Sequence, residues 1–209
     1  MNNTAKLFNI SLTKVLLLIS FSFLLLPQAS AEDGLYERGI ELVEQKDYKK
    51  ALKAFELGAK TGDLNAMTAL GIMYIAGLGV IQNDIKGFKY VQDAANKSHP
   101  KAQYTLGAIY YLGAGVTMDF NKAFKWISLS ADQGYLDAQH NLAQMYEAGE
   151  GVTQDFKKAY EYYLIAARSG NLDSQIKVAQ MYQEAIGTEK NLEKSVYWLK
   201  KIEESKAKN

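Results

Sequence analysis

The sequence contains no cysteine. This absence excludes a disulfide framework, a thiolate nucleophile, cysteine-based zinc or iron–sulfur sites, and the lipidated cysteine of bacterial lipoproteins. Histidine occurs only at His99 and His140, so a histidine-rich metal site is not expected. The 24 Lys and Arg nearly balance the 23 Asp and Glu, and the net charge of +1 argues against an electrostatic nucleic-acid-binding surface.

The N-terminal segment has the pattern of a secretory signal peptide. Lys6 and Lys14 accompany an apolar run from Val15 to Leu26, and a small-residue site ends at Ala31. The run is shorter than the roughly 20 residues that a membrane-spanning helix needs, which favours cleavage over a permanent anchor. We therefore expect a periplasmic or secreted protein without a membrane anchor.

The chain is predicted to consist of three parts. Residues 1–31 are the predicted cleaved signal peptide, residues 32–206 the folded repeat domain, and residues 207–209 a disordered tail.

A period of 36 residues organises the folded part. Three of the recurring columns are Ala66, Ala102, Ala138 and Ser174; Tyr74, Tyr110, Tyr146 and Tyr182; and Gly79, Gly115, Gly151 and Gly187. A shorter first unit around Gly39 follows the same scheme, although Arg38 stands in its leucine column. Counting that unit gives five repeats over roughly residues 33–206.

Each repeat is predicted to be a pair of helices. In one repeat, Ala66, Leu70 and Tyr74 recur at i, i+4 and i+8, which is the spacing of a helix face. A Gly-x-Gly pair supplies left-handed positions where the first helix stops. An Asp or Asn column then stands where a side chain can cap the second helix: Asp47, Asn83, Asp119, Asp155 and Asn191.

The repeat pattern A-x-x-x-L-G-x-x-Y-x-x-G-x-G-V, followed by a capping residue and Lys-Ala, resembles the Sel-one-like repeat, a relative of the tetratricopeptide repeat. Ala102 to Val116, with Lys122, Ala123 and Trp126, fits it best. We therefore expect an all-α fold, a right-handed α-solenoid of about five stacked antiparallel helix pairs with a concave side. The resemblance implies a scaffold that assembles protein complexes, in bacteria often at the envelope or facing a host. Many exported relatives join each helix pair by a disulfide, which this chain cannot form.

Apparent catalytic motifs have the wrong context. Ser98 to Lys101 and Ser174 to Lys177 match S-x-x-K, and Lys60 to Gly62 matches the K-T-G of penicillin-binding enzymes. That chemistry needs a strand to carry K-T-G, and here the triplet falls in a turn between helices. The Gly-x-Gly pairs follow helices rather than strands, so they do not indicate a phosphate-binding loop. We therefore expect no catalytic residues.

The histidines do not indicate a metal site. His99 precedes Pro100 in a turn and is expected to be solvated, and His140 lies on a first helix without a ligand at i+4. We expect no metal and no cofactor.

A partner is predicted to bind where the first helices line the concave side. The residues that escape the stacking pattern there are Tyr36, Thr68, Ile75, Tyr104, Tyr111, His140, Gln144, Glu147, Gln180 and Gln183. Exposed Tyr36, Tyr104 and Tyr111 would be peptide anchors, because tyrosine offers a large contact area with few rotatable bonds. The alternative is that these tyrosines pack between repeats.

The expected function is that of an exported, non-catalytic adaptor that holds a peptide or helix of another envelope or secreted protein. The alternative is a protein that binds peptidoglycan or modulates a cell-wall enzyme. Glu203 stands where earlier repeats have Ala95, Ala131 and Ala167, and it is expected to belong to a solvent-facing C-terminal cap.

Overall fold

The computed structural model describes residues 34–206, so the predicted signal peptide and the predicted tail lie outside it. The described residues form ten α-helices and no β-strand. In chain order they are α1 (Leu35–Glu44), α2 (Tyr48–Lys60), α3 (Leu64–Ala76), α4 (Asp84–Asn96), α5 (Pro100–Leu112), α6 (Phe120–Asp132), α7 (Leu136–Ala148), α8 (Phe156–Arg168), α9 (Leu172–Glu184) and α10 (Leu192–Lys206). The odd-numbered helices are the first helices of the five repeats, and the even-numbered helices are the second. The predicted all-α fold of five helix pairs is confirmed.

The helices fall into two compact units that divide after Thr117. In the first unit, α1 packs on α2, α2 on α3, α3 on α4 and α4 on α5. In the second unit, α6 packs on α7, α7 on α8, α8 on α9 and α9 on α10. Within each unit, every helix therefore contacts the helices next to it in sequence, which is the packing expected of a helical repeat.

Four of the five first helices, α3, α5, α7 and α9, end at a residue in the left-handed conformation. Gly149 follows α7 with a φ of 73°, and its amide donates to the carbonyl oxygen of Met145. Glycine is the usual residue here because it has no Cβ to clash in this conformation. Ala185 adopts the same conformation after α9, with a φ of 59°, so the repeat geometry is kept without glycine.

All five second helices begin with the predicted side-chain cap. In the fourth repeat, Oδ1 of Asp155 accepts a hydrogen bond of 3.0 Å from the backbone amide of Lys158. Asn191 caps α10 in the same way, at 2.8 Å from the amide of Lys194. These bonds satisfy amides that have no partner within the helix, so the caps are a local property of each repeat.

The turn before α5 differs from the expectation for His99. Ser98 takes the left-handed position, with a φ of 60°, and Pro100 begins the helix. His99 is half-buried rather than solvated, because its Nδ1 accepts a hydrogen bond from the amide of Ala102 and caps α5. Burial lowers the pKa of His99, and the charge of Lys101 lowers it further.

A glutamine column that the sequence patterns did not single out ties repeats together. Gln103, Gln139 and Gln175 directly follow the recurring small residue of the first helix. Each donates its side-chain amide to a carbonyl oxygen at the end of the preceding second helix: Ala95 at 3.4 Å, Ala131 at 3.5 Å and Ala167 at 3.1 Å. Each carbonyl also accepts a backbone amide of the following turn, from Ser98, Gly134 and Gly170 respectively. The glutamine is thus a second donor, and it joins the end of one helix to the start of the next.

Candidate partner-binding surface

The predicted binding residues of α3 and α5 are not exposed. Thr68, Tyr104 and Tyr111 expose 0%, 5% and 5% of their surface, so the expectation of exposed tyrosine anchors at Tyr104 and Tyr111 is wrong. The reason is that both helices are apolar around nearly their whole circumference, and such helices are buried on every side. The hydroxyl of Thr68 donates to the carbonyl oxygen of Leu64 in its own helix.

Tyr36 is half-buried at the start of α1. Its hydroxyl accepts a hydrogen bond of 3.0 Å from Nζ of Lys101, and its ring lies 6.0 Å from that of Phe55. Burial, aided by the charges of Glu37 and Asp63, raises the pKa of Tyr36 to about 12. Ile75 on α3 is also half-buried. In the first unit, the predicted stripe is therefore mainly a packing surface.

In the second unit, part of the same stripe is exposed. On α7, His140, Gln144 and Glu147 are half-buried. On α9, Ile176, Gln180 and Gln183 are exposed. We call these six residues the α7–α9 face. Apart from Ile176 the face is polar, whereas the corresponding positions of α3 and α5 are mostly apolar and none of them is exposed. The exposed part of the predicted stripe therefore lies on α9.

Glu147 is held at this face by two donors. Nζ of Lys177 lies 2.9 Å from Oε1 and 3.1 Å from Oε2, and the hydroxyl of Tyr163 donates to Oε2 at 2.7 Å. Tyr163 comes from α8 and is fully buried. Burial raises the pKa of Tyr163, and the hydrogen bond to Glu147 and the charge of that carboxylate raise it further. The tyrosine is therefore a neutral donor that fixes the carboxylate at the surface.

His140 is positioned by the same neighbours. Its Nδ1 lies 2.7 Å from Oγ of Ser174, and its ring lies 5.6 Å from that of Tyr163. Charged and polar groups from α7, α8 and α9 thus meet in one connected cluster. Its side chains are oriented before a partner arrives, which lowers the entropy cost of binding.

The S-x-x-K sequence at Ser174 does not form a serine–lysine pair with catalytic geometry. The structure pairs Ser174 with His140 and Lys177 with Glu147. Ser174 is also fully buried in the first turn of α9, where a substrate has no access to its hydroxyl. The serine–lysine pairing that the S-x-x-K motif requires is therefore absent at Ser174.

Sequence reasoning missed Tyr163 and Lys177. Both lie outside the predicted stripe, although each departs from its column: Tyr163 stands where earlier repeats have Phe55, Val91 and Ile127, and Lys177 stands where they have Ala69, Thr105 and Asn141. A further signal was that Glu147 is the acidic residue in a column otherwise occupied by Val43, Ile75, Tyr111 and Gln183. A half-buried acid at that position requires donors nearby.

A separate cleft of about 490 Å³ opens in the second unit beside the stacked rings of Tyr146 and Tyr162. Lys158 and Glu161 both line it, so its charge is mixed. Burial raises the pKa of Tyr162, and the charge of Asp132 raises it further. The cleft contains no predicted binding residue.

Residues 34–206 contain neither a membrane-spanning helix nor a cluster of metal ligands. No helix in this range has the length and hydropathy needed to cross a membrane. Within the same range, no group of three or more His, Asp or Glu side chains is arranged to hold a metal ion.

The fold is that of a helical-repeat protein, and hydrogen bonds hold His140 and Glu147 of the α7–α9 face in place. The sequence model of the Sel1 repeat matches the chain five times, over residues 27–63, 64–99, 100–135, 136–171 and 172–204. The chain therefore belongs to the Sel1 repeat family, and the resemblance to the Sel-one-like repeat is confirmed. Proteins of this family generally mediate protein–protein interaction and are generally non-catalytic. No curated protein shows significant similarity to the chain.

Solved structures of Sel1 repeat proteins have the same fold. A Sel1 repeat protein from Oxalobacter formigenes is 28% identical, with a TM-score of 0.76 over 83% of this chain and 73% of that one. The protein c5321, a protective antigen present in uropathogenic Escherichia coli strains that displays an SLR fold, is 30% identical, with a TM-score of 0.73 over 85% of this chain. This chain spans 41% of c5321. A protein from Klebsiella pneumoniae subsp. pneumoniae, described as a Sel1 repeat protein, shares the fold at 22% identity and a TM-score of 0.56, over 82% of this chain and 85% of that one.

Proposed function

We propose that this protein is an exported, non-catalytic adaptor that binds a segment of another envelope or secreted protein on the α7–α9 face. The family supports a role in protein–protein interaction. The observation that carries the choice of surface is the contrast between repeats: Tyr104 and Tyr111 are buried, whereas Gln180 and Gln183 are exposed.

The chemistry of the face favours a polypeptide partner in an extended or loop conformation. Gln144, Gln180 and Gln183 carry side-chain amides, which can donate to and accept from peptide groups. Glu147 adds a carboxylate, although Lys177 offsets its charge. Binding would therefore rest on hydrogen bonding more than on net charge.

The cluster beneath the face supports specificity. Glu147 and His140 are held by Tyr163 and Ser174, both fully buried, so the polar groups keep one arrangement. A partner that matches this arrangement binds with a small loss of side-chain entropy, because the side chains are already ordered. A mismatched partner leaves buried polar groups without hydrogen-bond partners.

Site-specific photo-crosslinking in the native host tests the surface. A photoreactive residue replaces Gln180 or Gln183 on α9, and matched controls replace Lys157 or Glu161, which are exposed on α8. We expect a product of discrete mass from the α9 positions and none from the α8 positions. Equal products from both helices, or products from α8 alone, would contradict the choice of surface.

A second experiment separates binding from folding. Gln180→Ala and Gln183→Ala together remove two exposed amides, so the thermal midpoint should stay within about 2 °C. The crosslink from a photoreactive residue at Ile176 should nevertheless fall at least about tenfold, since each lost hydrogen bond contributes roughly 1 kcal/mol. An unchanged crosslink in a stably folded variant would overturn the proposal.

Export is a separate part of the proposal and rests on the sequence of residues 1–31. Fractionation of cells, followed by N-terminal sequencing of the purified protein, tests it. The proposal requires a mature chain that begins at Glu32, outside the cytoplasm. Replacing Ala31 by Asp should block processing because the cleavage site requires a small residue. A cytoplasmic chain that keeps its first 31 residues would reject export without affecting the binding surface.

A further inference from the structure

The last described helix has an exposed apolar ridge. Leu192, Val196 and Leu199 are 58%, 62% and 41% exposed. They lie at i, i+4 and i+7, so they share one side of α10. The buried residues Ser195, Trp198 and Ile202 form a different side, which packs within the unit. Glu203 is exposed, as expected for a solvent-facing position, and the ridge beside it is apolar.

In the preceding repeat, the positions equivalent to this ridge pack against another helix. The residues of α8 that correspond to Val196 and Leu199 are Tyr160 and Tyr163. Tyr160 packs edge-on against Tyr182 of α9, and Tyr163 is fully buried. These positions of a second helix therefore accept another helix, whereas on α10 Val196 and Leu199 remain 62% and 41% exposed.

Two kinds of partner would bind the ridge unfavourably, because each would bury charged groups. A further repeat packed as α9 packs on α8 would bury the carboxylate of Glu203 where α8 has the fully buried Ala167. The outer side of α1 from another copy carries the exposed ion pair of Arg38 and Glu41, whose burial would cost desolvation of two charges.

We propose that the ridge of α10 binds the same ridge of a second copy of this chain, with the two α10 helices antiparallel about a two-fold axis. Such an isologous contact pairs apolar residues with apolar residues. It also pairs charges, because exposed Glu193 and Lys200 flank the ridge seven residues apart. An antiparallel crossing places Glu193 of each copy beside Lys200 of the other. Glu203 lies near the end of the ridge, where it stays in water.

The contact should be weak. Two crossing helices bury less than the roughly 1,200 Å² that a stable specific interface needs. We therefore expect a dissociation constant on the order of 100 μM, with dimers that form at high concentration and separate on dilution.

Sedimentation equilibrium of the purified full chain tests the proposal. Val196→Lys should abolish dimer formation, because it places two like charges near the two-fold axis. The matched control is Ile85→Lys on α4, since Ile85 is 77% exposed and undergoes the same change of side chain. The control should dimerise like the unmodified protein. A monomer at every concentration, or an equal loss in both variants, would overturn the proposal.

Charge reversal tests the geometry. Glu193→Lys and Lys200→Glu should each raise the dissociation constant at least about fivefold, and the double variant should restore it to within about twofold. All three variants change exposed side chains, so their thermal midpoints serve as controls for folding. Additive weakening in the double variant would overturn the antiparallel arrangement.

Disulfide trapping separates a symmetric contact from a head-to-tail one. The chain has no cysteine, so a single Val196→Cys change introduces the only thiol. A disulfide-linked dimer of this variant under mild oxidation would support the two-fold contact. A product that forms only when Val196→Cys is mixed with Arg38→Cys would show head-to-tail stacking and overturn it.

Discussion

Nζ of Lys177 on α9 lies 2.9 Å from Oε1 of Glu147 on α7, and this ion pair joins the first helices of consecutive repeats. The two residues of the pair lie in different environments. Glu147 also accepts a hydrogen bond from the buried Tyr163, whereas 38% of the Lys177 side chain is exposed to solvent. The unequal environments lead to a prediction about the two residues.

Glu147→Leu should destabilise the protein by about 2 kcal/mol more than Lys177→Met does. The first change leaves the buried Tyr163 hydroxyl without its acceptor, whereas the second leaves Glu147 with one donor and solvent. Urea unfolding at neutral pH measures both values. Adding Tyr163→Phe to Glu147→Leu should recover most of the difference, and a double variant as unstable as Glu147→Leu would contradict this account.

Gly151→Ala should destabilise the protein far more than Gly134→Ala. Both glycines have positive φ, 72° and 83°, so each alanine costs about 1 kcal/mol from backbone conformation. A Cβ at Gly151 would also overlap the carbonyl oxygen of Phe120, whereas one at Gly134 would meet open space. We expect a further loss of at least about 2 kcal/mol at Gly151, measured by chemical denaturation. Equal losses would show that the close approach to Phe120 contributes nothing.

Asp155→Ala should lower the free energy of unfolding by about 1 kcal/mol, because it removes the acceptor for the amide of Lys158. Asp155→Asn is the control, since asparagine already caps α4 and α10. The control should retain most of the stability when both variants are unfolded in urea. A loss as large in the asparagine variant would assign the effect to charge rather than capping.

The protein should lose stability as the pH rises from about 10 to about 12. The pKa of Tyr36 is raised from 10.0 to about 12 in the folded state, so the unfolded chain releases this proton first. The stabilisation is fully present below pH 10 and disappears as the pH passes 12. Tyr36→Phe should remove part of this dependence in urea unfolding series at several pH values, and the remainder comes from other tyrosines with a raised pKa, such as Tyr163. Tyr197→Phe, which changes an exposed tyrosine, is the control. An unchanged dependence in Tyr36→Phe would contradict the role of this tyrosine.

Local features of the repeat could be predicted because they need only nearby residues. Asp155 caps α8 through an amide three residues away, and Gly149 ends α7 by adopting a backbone conformation that glycine tolerates. The prediction that His99 is solvated was wrong, because its ring nitrogen accepts a hydrogen bond from a helix amide as a capping carboxylate does.

The binding stripe could be predicted only in part. Tyr104 and Gln180 occupy related positions on first helices, yet Tyr104 is buried and Gln180 is exposed. Periodicity assigns both to one stripe, whereas burial depends on how much apolar surface each helix has and on what packs against it. A test that replaces Tyr104 and Tyr111 by alanine would therefore report on the core rather than on binding.

By itself, the sequence determined the number of repeats, the helix pairs, the left-handed turns and the Asx caps. These follow from residue spacing and from hydrogen bonds within a few residues. Only the tertiary structure decided that Lys177 pairs with Glu147, that Ser174 pairs with His140, and that Val196 is exposed. Those contacts join positions that are distant in the chain, and their energies depend on burial and on neighbouring helices, which a repeating pattern does not specify.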